Sequence, residues 1–69
     1  MAEHVYKLVE LVGSSTTGTD AAIRNAIETA AKTLRHIDWF EVTETRGHVK
    51  DGKVAHFQVT LKAGFRLES

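Results

Sequence analysis

The stretch Val54–Leu67, VAHFQVTLKAGFRL, carries the longest unbroken alternation in the chain. Ala55, Phe57, Val59, Leu61, Ala63, Phe65 and Leu67 fall on one face, and His56, Gln58, Thr60, Lys62, Gly64 and Arg66 on the other. A period of two over this length is a β-strand, and so regular a pattern specifies register, because a one-residue slip would turn every apolar group outward. Immediately upstream, Lys50-Asp51-Gly52-Lys53 centres Asp-Gly in a two-residue type I′ hairpin turn, whose positive φ angles suit those residue types. The run before it, WFEVTETRGHV after Ile37-Asp38, alternates Phe40 and Val42 against Trp39, Glu41, Thr43 and Thr45. It reads as the antiparallel partner of the last strand.

Towards the N-terminus the period changes. Ile23, Ala26, Ile27, Ala30, Ala31 and Leu34 recur at three- and four-residue intervals, one stripe of a helix of about 16 residues starting at Thr19. Thr17, Thr19 or Asp20 is expected to supply the N-cap oxygen. Asp20 suits the positive end of the helix, and Lys32, Arg35 and His36 the negative end. Arg24, Asn25, Glu28, Thr29 and Lys32 occupy the opposite side, facing water or another subunit's rim. Ahead of the helix, VYKLVELV at Val5–Val12 is a first strand, ended by the loop GSSTTG, with apolar groups on both faces. The helical crossover sets strands one and two parallel and the hairpin reverses strand three, so placing strand three in the middle gives each neighbour an antiparallel partner. The expected architecture is α+β, a β-α-β-β chain with sheet order 1-3-2. One helix covers the Phe57/Val59/Leu61/Phe65 face and the other face is left bare.

Sixty-nine residues form a single domain, residues 1–69, and a chain this short buries only about 60% of its unfolded surface alone. No Cys is present, so disulfides and thiolate zinc sites are unavailable as supports and self-association is the remaining one. Nine Lys plus Arg against nine Asp plus Glu leave no net field to draw the protein to nucleic acid or an anionic membrane. No apolar run approaches the roughly 18 residues of a membrane span, and the opening MAEHVYK lacks the layout of a signal peptide, so a cytoplasmic protein is expected.

If the alternation of strand two holds, Trp39 projects from the bare face. Burying a large aromatic removes roughly 150–250 Å² from water, worth several kcal/mol at about 25 cal/mol per Å², so a subunit or a flat ligand should cover it. A planar ligand stacked on the indole needs in-plane polar partners, and Gln58, on the same face, both donates and accepts through one carboxamide. A pyrimidine-like edge with alternating C=O and N–H asks for that. Taken alone, such a pair is more often an interface anchor with an unrelated Gln nearby than a ligand site.

Three stretches together resemble a known family: VYKLVELVGSS at Val5–Ser15, TLRHIDWFEV at Thr33–Val42, and RGHVKDGKVAHFQVTLKAGFRLE from Arg46 to Glu68. The chain looks like a dodecin, one of the small β-α-β-β flavin-binding proteins that assemble as hollow homododecamers. The resemblance implies noncovalent storage and sequestration of FMN, or of riboflavin or FAD, and no enzymatic activity. It places paired flavins between symmetry-related copies of Trp39 and gives Gln58 the pyrimidine edge. Arg46 and Arg66 follow similar basic positions in bacterial members, as contacts to the ribityl or phosphate portion. Arg66 shares the Gln58 face, whereas Arg46 shares phase with Phe40 and Val42 and reaches the site only through a twist or bulge near Gly47. For both arginines an ion pair with Glu44 or Glu68 is the competing reading. Coenzyme A is a further ligand implied for some bacterial members, with no residue here assigned to it.

Other chemistries find less support. His4, His36, His48 and His56 lack metal-site spacing, and simple alternation puts His48 and His56 on opposite faces, so no metal ligand is assigned. The GSSTTG loop has neither the Lys-Ser/Thr of a P-loop nor GxGxxG spacing, and no Ser or Thr is set beside a His with an orienting carboxylate. The rivals to flavin binding are a sheet that stacks single-stranded nucleic acid, poorly served by one Trp and zero net charge, and a structural homo-oligomer in which Trp39 packs on its own copy.

Overall fold

The computed structural model describes residues 3–67. Its elements are β1 (Tyr6–Ser15), α1 (Thr19–Ala30), β2 (Ile37–Lys50) and β3 (Lys53–Arg66). They form one antiparallel sheet of order β1-β3-β2 with the helix on one face, the architecture expected from the alternation and the hairpin. Asp51 and Gly52 both have positive φ, 54° and 76°, the backbone of a type I′ turn.

β1 runs three residues beyond Val12, because Gly13, Ser14 and Ser15 still pair with Val59, Gln58 and Phe57. Backbone pairing continues where the apolar pattern stops. Gly13 is also where the helix comes closest: a Cβ there would overlap the Ala22 carbonyl and lie 3.0 Å from the Ala26 Cβ. The helix is therefore seated by its small residues. Ala22, Ala26 and Ala30 are its buried line, with Ile23 and Ile27 flanking the core, while Ala31, expected in the stripe, is exposed.

Both helix ends depart from expectation. No side chain caps the N-terminus: Gly18 holds the cap position, Thr19 and Asp20 already lie within the first turn, and the Thr17 hydroxyl sits 2.9 Å from Ser15 Oγ. At the other end the helix stops at Ala30 rather than near Leu34, because the Thr33 and Leu34 amides both donate to the Ala30 carbonyl and tighten the last turn. Lys32, Arg35 and His36 thus lie past its end, and the last turn carries no basic residue. His36, at φ 63°, turns the chain into β2, and its carbonyl accepts from the Arg66 amide at 3.0 Å.

The core lies between the helix and β1 and β3, where Val59, Leu61 and Ala63 are fully buried. The helix does not extend over β2. The expected Phe57/Val59/Leu61/Phe65 face is buried or half-buried, whereas Phe40 and Val42, on the helix side of β2, remain 49% and 39% exposed. Among the described residues no helix is long and apolar enough to cross a membrane.

Candidate functional site

The face away from the helix is set by the partners of β3. Tyr6 opposes Arg66, Leu8 opposes Gly64 and Ser14 opposes Gln58 from β1; Trp39 opposes Gly64 and Arg46 opposes Gln58 from β2. Trp39 stands on this face as alternation expected, although β2 reaches it through a register shift: Ile37 faces Phe65 and Trp39 faces Gly64, leaving Asp38 as an extra residue.

Trp39 does not stand free. Its indole lies across Gly64, which is buried despite belonging to the open face; a Cβ at Gly64 would overlap the ring and lie 2.7 Å from Nε1. The Tyr6 ring sits 6.4 Å away, tilted by 56°, with His4 edge-on to Tyr6 at 6.3 Å. Trp39 keeps 41% of its surface exposed. One side of the indole is thus held by its own chain and the rest is open, a preformed half-clamp for a flat group. Covering that remainder is worth about 2 kcal/mol by area, and stacking adds roughly 0.5–1.5 kcal/mol.

Arg46 belongs to the Gln58 face, and the bulge responsible is not at Gly47. Val42 faces Leu61 and Glu44 faces Thr60, so Thr43 is the extra residue, its Oγ1 donating to the Thr60 carbonyl at 3.2 Å. From that point the alternation of β2 is inverted. Glu44, Arg46 and His48 turn to the open face, and Thr45, read from the sequence as a companion of Trp39, turns to the helix side opposite Val59. Inversion also makes His48 and His56 direct partners, their rings stacked at 4.3 Å, where simple alternation had separated them. Arg46 donates from Nη2 to Glu44 Oε1 at 2.9 Å, the ion pair weighed against a ligand role. Both side chains are more than half exposed, so the pair contributes at most about 1 kcal/mol and leaves the guanidinium free to change partners. Glu68, the other acid considered, lies outside the described residues.

The four residues singled out in the sequence share a face without forming one cluster. Trp39 and Arg66, with Tyr6 and Gly64, occupy one end; Gln58 and Arg46 occupy the other. Gly64 and Gln58 are six residues apart on β3, which at about 3.3 Å per residue separates the Trp39 end from the Gln58 end by about 20 Å. Tyr6 and Gly64 were not recognised as site residues in the sequence. A Gly within an otherwise unbroken strand was the available signal for the second, since it marks close approach of another group.

The Dodecin family model matches residues 5–68. A dodecin from Thermus thermophilus is 58% identical over 64 residues, covering 93% of each chain. The structure of a Streptomyces coelicolor dodecin superposes with a TM-score of 0.93 at 56% identity, over 100% of this chain and 99% of that one. Three solved variants of the T. thermophilus dodecin, each 54% identical with a TM-score of 0.92, cover 97% of this chain and at least 98% of their own. They carry a Trp-to-Phe and two separate Arg-to-Ala substitutions, at positions spaced by seven and twenty residues, the spacings of Trp39, Arg46 and Arg66 here. A family match along nearly the whole chain, joined to the same fold at more than half sequence identity, leads to one conclusion: the chain belongs to the dodecin family.

Proposed function

We propose that this protein stores and sequesters a flavin, FMN or the related riboflavin or FAD, noncovalently within a hollow homododecamer. The observation that carries the reading is the seat of Trp39, the chain's one Trp, laid over Gly64 on a sheet face that no element among the described residues covers. A two-fold axis through such a face sets two indoles opposite one another, and flat heterocycles stacked between them gain on both sides. Gln58 supplies a donor and an acceptor for the pyrimidine edge, and Arg46 and Arg66 offer positive charge for the ribityl or phosphate portion. The flavin is held rather than turned over.

The 20 Å between the two ends of the face adds a condition. A flavin in contact with both a Trp39 indole and a Gln58 carboxamide takes them from different subunits, so each site is completed only by assembly. Bound flavin should lose its fluorescence through rapid electron transfer from the stacked indole.

Titration of the apo-protein into FMN tests this. Emission is expected to fall to near zero with wild-type protein. Trp39→Ala should weaken binding about 100-fold, the equivalent of about 3 kcal/mol of stacking and burial, while leaving the particles intact. Particles built from mixed Trp39→Ala and Gln58→Ala chains should recover part of the quenching, because some sites then draw an intact residue from each variant. Undiminished emission at excess wild-type protein sinks the flavin reading, and salt-sensitive oligonucleotide binding in its place favours the nucleic-acid rival. Loss of assembly in Trp39→Ala favours a purely structural indole.

A further inference from the structure

The register inversion at Thr43 has a second product that flavin binding does not use. His48 and His56 face one another across β2 and β3, one residue pair beyond Arg46 and Gln58 on the same open face, with ring centroids 4.3 Å apart and planes within 21° of parallel. They lie near the hairpin end, with the pairs Val49–Val54 and Lys50–Lys53 between them and the two-residue turn, and past the final β1 pair of Ser15 with Phe57, so the first strand does not flank them. A further register shift between His48 and Val49 follows at once, and such bulges aim side chains. His48 is exposed and His56 half-buried.

We propose that His48 and His56 form a two-histidine site for a zinc-like divalent cation. Imidazole nitrogen is a preferred ligand for such ions when no thiolate is present, as in this Cys-free chain. Two nitrogens bound to one tetrahedral zinc at about 2.0–2.1 Å stand about 3.3 Å apart. The stack brings both imidazoles within reach of one ion, and binding turns the rings about their side-chain torsions out of the near-parallel stack so that their in-plane nitrogen lone pairs converge. No group of three or more His, Cys, Asp or Glu ligands occurs among the described residues, so the protein provides two ligands and water completes the shell. An open shell of this kind makes an exchangeable site rather than a structural one. Hard cations that prefer oxygen ligands, Ca²⁺ and Mg²⁺, are not accommodated.

The test is calorimetric titration of the assembled, flavin-free protein with Zn²⁺, repeated with Ca²⁺ and Mg²⁺. One Zn²⁺ per chain is expected, with no saturable binding of the other two. His48→Gln and His56→Gln should each weaken Zn²⁺ binding by about tenfold or more, since losing a direct ligand should cost no less than losing an outer-shell partner, and His4→Gln should leave it unchanged. Zn²⁺ should also shield His48 and His56 of the wild-type protein from acylation by diethylpyrocarbonate, read by mass spectrometry, a measurement that needs no variant to fold. Absence of saturable Zn²⁺ binding, one ion per two chains, or an affinity that survives both substitutions overturns the proposal.

Discussion

Gly64 determines how Trp39 is presented. Its missing side chain lets the indole lie down on the strand, where a methyl group would overlap the ring. Gly64→Ala is therefore expected to lift the indole, lowering stability by about 1–3 kcal/mol through overpacking and weakening FMN quenching together with it. Gly18→Ala serves as the comparison: nothing lies within 4 Å of its added Cβ, so flavin titration should match wild type, while replacing the N-cap glycine by alanine lowers stability in urea unfolding by no more than about 1 kcal/mol. At this scale Trp39 and Gln58 were legible, because alternation assigned both to the open face. The seat was not, since only pairing through the Asp38 shift brings Trp39 opposite Gly64.

β2 shows why alternation is a local rule. Its first half reads correctly and its second half is inverted, because the Thr43 bulge inserts one residue against β3. The sequence TETR is polar in either phase, so no apolar group marks the slip. Deleting Thr43 has an unusual expected outcome. Glu44 keeps Thr60, Arg46 keeps Gln58 and His48 keeps His56, so FMN quenching and Zn²⁺ binding should persist. Stability should fall by about 1 kcal/mol with loss of the Thr43 hydrogen bond, read as a shift in the urea midpoint. Loss of both ligands would show that the twist of the bulge itself shapes the face. The helix was legible in its start and in its alanine content, and not in its end, which depends on where Thr33 and Leu34 find a carbonyl.

A single protomer leaves large apolar groups exposed on both sides of the sheet: Leu8, Val12 and Trp39 on the open face, Phe40 and Val42 where the helix does not reach. Its private core, three alanines of α1 against Val59, Leu61 and Ala63, is small for a chain without Cys. Association is expected to bury both surfaces. Sedimentation equilibrium should give a particle of about 91 kDa, twelve chains of 7.6 kDa, that persists on dilution. A stable 7.6 kDa species would contradict the assembly and, with it, a flavin site shared between subunits.

The sequence by itself determined the element order, the type I′ turn, the central place of β3 and the outward direction of Trp39 and Gln58. These rest on periodicity and turn chemistry, which are properties of neighbouring residues. The tertiary structure alone decided the Trp39 seat, the phase of Arg46, the stacking of His48 on His56 and the distance between the two ends of the face. Each of these depends on which residue of one strand stands opposite which residue of another, and a bulge changes that pairing without altering any local pattern.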